Sequence, residues 1–310
     1  MEHGQGRNGR WRHRRSFRRH HRGVVAVVGT LLALLVFFAL FGLFITQYLP
    51  LWMTDNESSF SADLQASMAT LKSNIDLQML VQGPAVYSTP FTMQSEGVPL
   101  LAQPTSATMI FDPGQSGVFA NVSATVGPGG AGAIYRNFSL GTLTVTSPNR
   151  YYSPQIFELE DDAVIQSQSD QQQILAFPPL FAINNTGGQI GVDLAMVQMY
   201  GNATQAVSTG TQEVASHFLF SQSYTSGGIG LGVTFNAEFK IGTHFPCAWA
   251  TFLSGMLTRS GIATSHYTLS PSTCIASNGI AKIVDLKFTN INAFTLVLGT
   301  FTIVMGVGVE

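Results

Sequence analysis

Between Arg22 and Asp55 the chain carries no charged side chain. Within that gap, Gly23–Leu49 reads GVVAVVGTLLALLVFFALFGLFITQYL. As a helix rising 1.5 Å per residue, it would be about 40 Å long, enough to cross a hydrocarbon layer of about 30 Å with some tilt. In lipid every backbone N–H and C=O needs an internal partner, so a helix is the expected form. Tyr48, Pro50 and Trp52 follow at the far end, where amphipathic rings settle at an interface and a proline is expected to end the helix. A cleaved secretory signal would have a shorter apolar core followed by small residues, whereas Phe41–Tyr48 is bulky.

The flanks of this segment are opposite in charge. Eight arginines lie between Arg7 and Arg22, with Glu2 as the only acid before Asp55. From Asp55 onward there are seven basic and 16 acidic residues, a net of −9. A basic head held back and an acidic body passed across give a single-pass topology, N-terminus cytoplasmic and C-terminal domain extracellular. The head serves as a topology signal that rests on anionic headgroups, so the lipid bilayer is the first partner and no nucleic acid is expected. Only 10% of residues are charged, which sets the chain apart from a charge-coated cytosolic enzyme.

The expected organisation is a basic tail at 1–22, a transmembrane helix at 23–49, a juxtamembrane amphipathic helix at 50–80 and a β-rich ectodomain at 81–310. In the third segment Ser58 and Ser59 can cap a helix, and Glu57 and Asp63 sit near its positive start. Phe60, Leu64, Met68, Leu71 and Ile75 then recur at helical spacing. That face packs on the outer domain or on the same helix of another subunit. Beyond residue 81 short alternating runs dominate, as at Ala107–Phe111, Val118–Val126, Thr142–Thr146, Ile190–Met199, Leu231–Phe239 and Ile283–Phe288. Clusters such as GPGGAG at 127–132 and NNTGG at 184–188 divide them. The fold class is therefore an N-terminal transmembrane helix plus a mainly β extracellular domain, a β-sandwich or stacked sheets. It carries one juxtamembrane helix and one late helix around Trp249–Leu257 that stops at Gly261. Thr289–Val309 is uncharged and long enough for a second span, but its β-branched composition favours a buried strand pair or one long central strand.

Signs of chemistry are sparse. The chain has no phosphate-loop, zinc-helix or nucleophile-elbow motif, and no catalytic residue or cofactor site is assigned. GGIGLG at 227–232 imitates a dinucleotide loop, but strand-like runs flank it on both sides, so a turn or bulge is the simpler reading. His217, His244 and His266 lack metal-ligand spacing. Glu158, Glu160, Asp161 and Asp162 read as a solvated turn, and their hard oxygens make them a calcium candidate. Cys247 and Cys274, the only cysteines, are expected to be disulfide-linked outside the cell; a free thiol pair or an inter-chain bridge is the alternative. Asn56, Asn121, Asn137, Asn184 and Asn202 head N-x-S/T sequons, so glycans are expected.

The N-terminal pattern, Arg22–Gly23 followed by VVAVVGTLLALL at 24–35, resembles that of archaeal type IV pilin-like single-pass surface proteins. The body, with YYSPQIFELEDDAVI at 151–165 and FPCAWATFL at 245–253, looks similar to uncharacterised archaeal envelope proteins with this head. The resemblance implies cleavage by a dedicated peptidase after Gly23, leaving Val24 as the mature start, and partnership with other pilin-like or envelope subunits. Together these readings point to a membrane-anchored structural or adhesive protein, a pilin-like or accessory subunit of a surface assembly. A membrane-tethered binding module for carbohydrate or another substrate is the alternative, followed by an exported hydrolase.

Overall fold

The computed structural model describes residues 17–114, 117–126, 134–169, 172–227, 234–271 and 281–306. Contacts divide the chain between Met53 and Thr54 into two units.

The first unit is helical. Helix α1 (Phe17–Leu43) passes into a π-turn (Phe44–Tyr48) and then into the start of α2 (Leu49–Val81). Every side chain from Val25 to Leu43 is exposed, so the apolar surface of α1 has no protein cover. This stretch is long and apolar enough to cross a membrane. Pro50 does not end the helix as expected. A proline ring clashes with the carbonyl four residues back and lacks the N–H that would bond to it. Here the preceding turn is widened: the Leu49 N–H bonds to the Phe44 carbonyl, five residues back. A π-turn adds one residue to the ring and opens room for the proline without breaking the run.

The second unit begins with the rest of α2. Phe60, Leu64, Met68, Leu71, Ile75 and Met79 are all buried along one face. They share a core with Phe91, Met109, Phe157, Val197 and Phe301, so the amphipathic face is covered by the chain's own β domain. Each such burial contributes about 2 kcal/mol of transfer free energy before entropy is subtracted. Ser58 and Ser59 are not caps, because they lie inside α2 rather than at its start.

Among the described residues, sixteen strands numbered in chain order form three sheets. The first has the order β1 (Val86–Thr92), β12 (Thr211–Gly227), β16 (Ala293–Gly306), β10 (Gln189–Tyr200) and β9 (Phe181–Thr186). The second runs β11 (Thr204–Val207), β2 (Thr108–Asp112), β5 (Thr142–Ser147), β6 (Gln155–Glu160), β7 (Ala163–Ser169) and β8 (Gln172–Phe177). The third runs β14 (Tyr267–Ser270), β15 (Lys282–Ile291), β13 (Phe235–Thr243), β3 (Phe119–Val126) and β4 (Ile134–Ser139). All pairings are antiparallel except β10 with β16. Within the uncharged C-terminal run, Ala293–Gly306 is thus a central strand, hydrogen-bonded on both sides, which explains its β-branched composition.

Two cores result, and the first sheet serves both. Val192, Leu194 and Met196 of β10 and Phe294, Leu296 and Leu298 of β16 enter one core, with the third sheet and α3 (Pro246–Arg259). Further along the same strands the parity switches. Val197, Met199, Phe301 and Ile303 enter the other core, with α2 and the second sheet. Successive strand side chains point to opposite faces, so each strand leaves one core and joins the other. Helix α3 ends as expected: Gly261 takes φ of 62°, and its N–H bonds to the Thr258 carbonyl.

Candidate functional site

The acidic run is the least ordinary cluster in the β domain. Strand β6 is internal to the second sheet, and residues 157–165 are all buried. Phe157 and Leu159 fill the core shared with α2. Glu158 and Glu160 fall on the opposite parity, and Asp161 and Asp162 form the two-residue turn into β7. Their φ values of 46° and 62° are the paired left-handed geometry of a tight hairpin, which aspartate tolerates. The reading as a solvated turn is overturned: Glu158 is 4% exposed and the other three are fully covered.

Each carboxyl has its own partners. Glu160 accepts hydrogen bonds from the Thr243 hydroxyl and the Trp249 indole N–H, while its Oε2 is unpartnered. Glu158 accepts from the Thr144 hydroxyl at 2.9 Å and lies 3.9 Å from His244 Nδ1. Asp161 accepts from the Val197 N–H at 3.3 Å. Asp162 accepts from Lys72 Nζ at 3.1 Å and the Leu180 N–H at 3.3 Å, and Lys72 also donates to Asp76 at 2.8 Å. Burial pushes Glu160 up to about 8, with a further push from the Glu158 charge, against the two hydrogen bonds it accepts. Burial also raises Asp161 and Asp162 well above the carboxylate range; for Asp162 the Lys72 charge opposes this and Asp76 adds to it. Glu160 is therefore mainly a neutral acid at pH 7.

Among the described residues, no three His, Cys, Asp or Glu side chains come together as a group that could hold a metal, these four included. His217, His244 and His266 lie on separate elements, at β12, at the end of β13 and in the short turn before β14.

A second constellation was hidden in the expected cap. Glu57 is fully buried on α2, and it does not cap its own helix, which starts eight residues earlier at Leu49. It accepts from the Thr105 hydroxyl at 2.6 Å and from three successive backbone N–H groups, of Arg150, Tyr151 and Tyr152 at 2.7–3.1 Å. Burial alone would push Glu57 up, but these donors outweigh it and hold the carboxyl below its usual range. Asn149 donates to the Ser61 hydroxyl at 3.0 Å, and Asn56 donates to the Glu96 carbonyl at 3.1 Å. Two loops, around residues 95–105 and 149–153, are thereby fastened to the beginning of the β unit. Only the acid at position 57 hinted at this, since its donors come from about 50 and 90 residues away.

The remaining sequence candidates are scattered. Asn137, Asn184 and Asn202 are exposed, Asn121 is half-buried, and Asn56 is half-buried in α2. Asn121 and Asn137 are directly opposed across β3 and β4. Cys247 is buried in the first turn of α3, and Cys274 lies outside the described residues. Arg22, Gly23 and Val24 fall on the helical backbone of α1, while the head before Phe17 lies outside the described residues. Of GGIGLG only Gly227 is described. It closes β12 at φ 72°, and an added Cβ would sit 2.3 Å from the Asn292 carbonyl oxygen. This glycine permits a close backbone approach.

Several apolar side chains are exposed where α2 ends and nearby in the sheet. Leu80, Val81 and Val86 are 82%, 64% and 61% exposed. Val86 pairs with His217, two residues before Leu219 and three before Phe220, which are also exposed.

Comparison with protein-family models, curated proteins and solved structures finds no match to this chain.

Proposed function

We propose that the chain is a surface subunit anchored by one membrane helix, with its N-terminus cytoplasmic and its β domain displayed outside the cell as a structural or adhesive module. The uncovered apolar surface of Val25–Leu43 carries this reading, because lipid satisfies a helix of this length whose apolar side chains have no protein cover. The arginine flank supports the orientation. The role fits a pilin-like or accessory component, with cleavage after Gly23.

Two modifications belong to this reading. Glycans fit Asn137, Asn184 and Asn202, whose exposure leaves room for an enzyme and a sugar. A Cys247–Cys274 disulfide fits an oxidising exterior; no described cysteine is free.

Carbonate extraction of cell membranes, followed by protease treatment of intact cells, tests anchoring and orientation. The β domain should be digested from outside while the chain stays in the pellet before digestion. A freely soluble, full-length chain would overturn the proposal. Imaging of isolated surface material distinguishes filaments from single subunits, and N-terminal sequencing locates Val24.

A further inference from the structure

Among the described residues, Lys72 is the only buried lysine. Its side chain is 7% exposed, one turn of α2 from Met68 and from Ile75 on the covered face. A lysine seldom goes inside unless it is paired. Nζ donates to Asp76 at 2.8 Å, one turn further along α2, and to Asp162 at 3.1 Å in the turn between β6 and β7. One carboxylate would balance the ammonium, so two leave an acid in excess. Asp162 is fully covered, and burial favours its protonated form against the pull of the Lys72 charge, with Asp76 adding to the rise. Asp76 Oδ1 and Asp162 Oδ1 are buried and receive no hydrogen bond from a protein donor. The two carboxyls lie close enough for a proton on one to bond to the other. The set is an amine held against a buried neutral acid, with a second carboxyl at the amine.

In water such a pair stays ionic, because hydration of both charges opposes condensation. Burial removes that hydration. Fixed neighbours also react with effective molarities reaching about 10⁵–10⁸ M when the reacting groups are in contact. Asp162 Cγ lies one bond beyond the oxygen that Nζ already touches. The Leu180 N–H donates to that same Oδ2 at 3.3 Å, where negative charge gathers during attack at Cγ.

We propose that Lys72 and Asp162 join autocatalytically in an isopeptide bond between Nζ and Cγ, with Asp76 as the catalytic residue that carries the protons. Asp76 takes one proton from the Lys72 ammonium. The freed electron pair on Nζ attacks Cγ of the protonated Asp162, and the C=O π pair moves onto Oδ2, facing the Leu180 N–H. Asp76 passes its proton to the Oδ1 hydroxyl, the Cγ–Oδ1 bond breaks, and water leaves as the Oδ2 pair restores the carbonyl. Asp76 then takes a second proton from nitrogen. An ammonium, a carboxylic acid and a carboxylate thus become an amide, one water and a protonated Asp76, with no change of oxidation state. The bond ties α2 to a turn 90 residues away and encloses β1 to β6 in a covalent ring. It lies wholly within the β unit and does not depend on the membrane anchor.

The test maps the full chain, purified in detergent, then denatured and reduced. Trypsin should fail to cut after Lys72 in nearly every molecule. A chymotryptic digest should hold one branched peptide joining positions 72 and 162, lighter than its two parts by the mass of one water. Cleavage after Lys72, with two separate linear peptides, overturns the proposal. Lys72→Arg keeps the charge and loses the nucleophile; trypsin should cut it after position 72, which shows that the site is open to the protease once the chain is unfolded. Asp76→Asn should leave most chains cut after Lys72, and Asp76→Glu should restore the bond in most of them. Asp76→Asn linked as fully as the parent overturns the role given to Asp76. The map of the parent protein decides the bond itself, however the variants fold.

Discussion

Replacing Glu160 by glutamine should make the β domain more stable at neutral pH and flatten its pH dependence. The wild-type acid is fully buried and titrates at about 8, against 4.5 for an exposed glutamate. The folded state therefore holds a proton that the unfolded chain releases above about pH 4.5. Stability falls wherever the folded state binds more protons, so this group's contribution is lost as pH rises from about 4.5 towards 8. At about 1.36 kcal/mol per pH unit, the loss between pH 4.5 and 7 is about 3 kcal/mol. Glu160→Gln keeps an oxygen for Thr243 and Trp249 and removes the ionisation. The two proteins should be near-equal at pH 4, with the variant ahead by about 3 kcal/mol at pH 7. Urea unfolding of reconstituted protein at several pH values, followed by the change in tryptophan emission, measures this directly. Parallel pH profiles for the two proteins would refute the reasoning, as would a wild type that gains stability from pH 5 to 8.

Glu57→Ala should destabilise the β domain by about 3 kcal/mol, because charge-assisted bonds to Thr105 and three backbone N–H groups are lost together. Urea unfolding gives the magnitude, and limited proteolysis should cut first at 149–153. Since the Glu57 carboxyl is held low, its contribution is present above about pH 4.5 and lost as pH falls further, opposite in sign to Glu160. Gly227→Ala should cost at least about 2 kcal/mol, since a Cβ meets the Asn292 oxygen at a left-handed φ; thermal unfolding reads it. Cys247→Ser should lower stability by about 3 kcal/mol if the disulfide is present, and peptide mapping without reductant should find the Cys247–Cys274 pair in the parent.

The helix of the first unit was legible because its signal is crude: a long run of apolar residues and no charge. The buried face from Phe60 to Ile75 was legible through its period, and β16 through its β-branched residues. What stayed hidden depended on distant partners. Position 50 looked like a stop because proline chemistry is local, while the compensating π-turn is a property of Phe44–Tyr48. The run from Glu158 to Asp162 looked wet because acids favour water. Its covering groups, Lys72, Thr243 and Trp249, lie about 80–90 residues away. A clue was present in FELEDDAVI: apolar residues on both sides, and the alternation of a strand whose two faces are both covered. Glu57 was read as serving its own helix, because nothing nearby announces that three backbone N–H groups would fold back to it.

The switch of parity along β10 and β16 bears on how such a molecule is made. Ribosomes release β16 after every other described strand, yet its residues plug both hydrophobic interiors. Without it, β10 and β12 lack the neighbour between them, and both cores lose residues. One strand thus couples the two halves, so a substitution in β16 is felt in both cores.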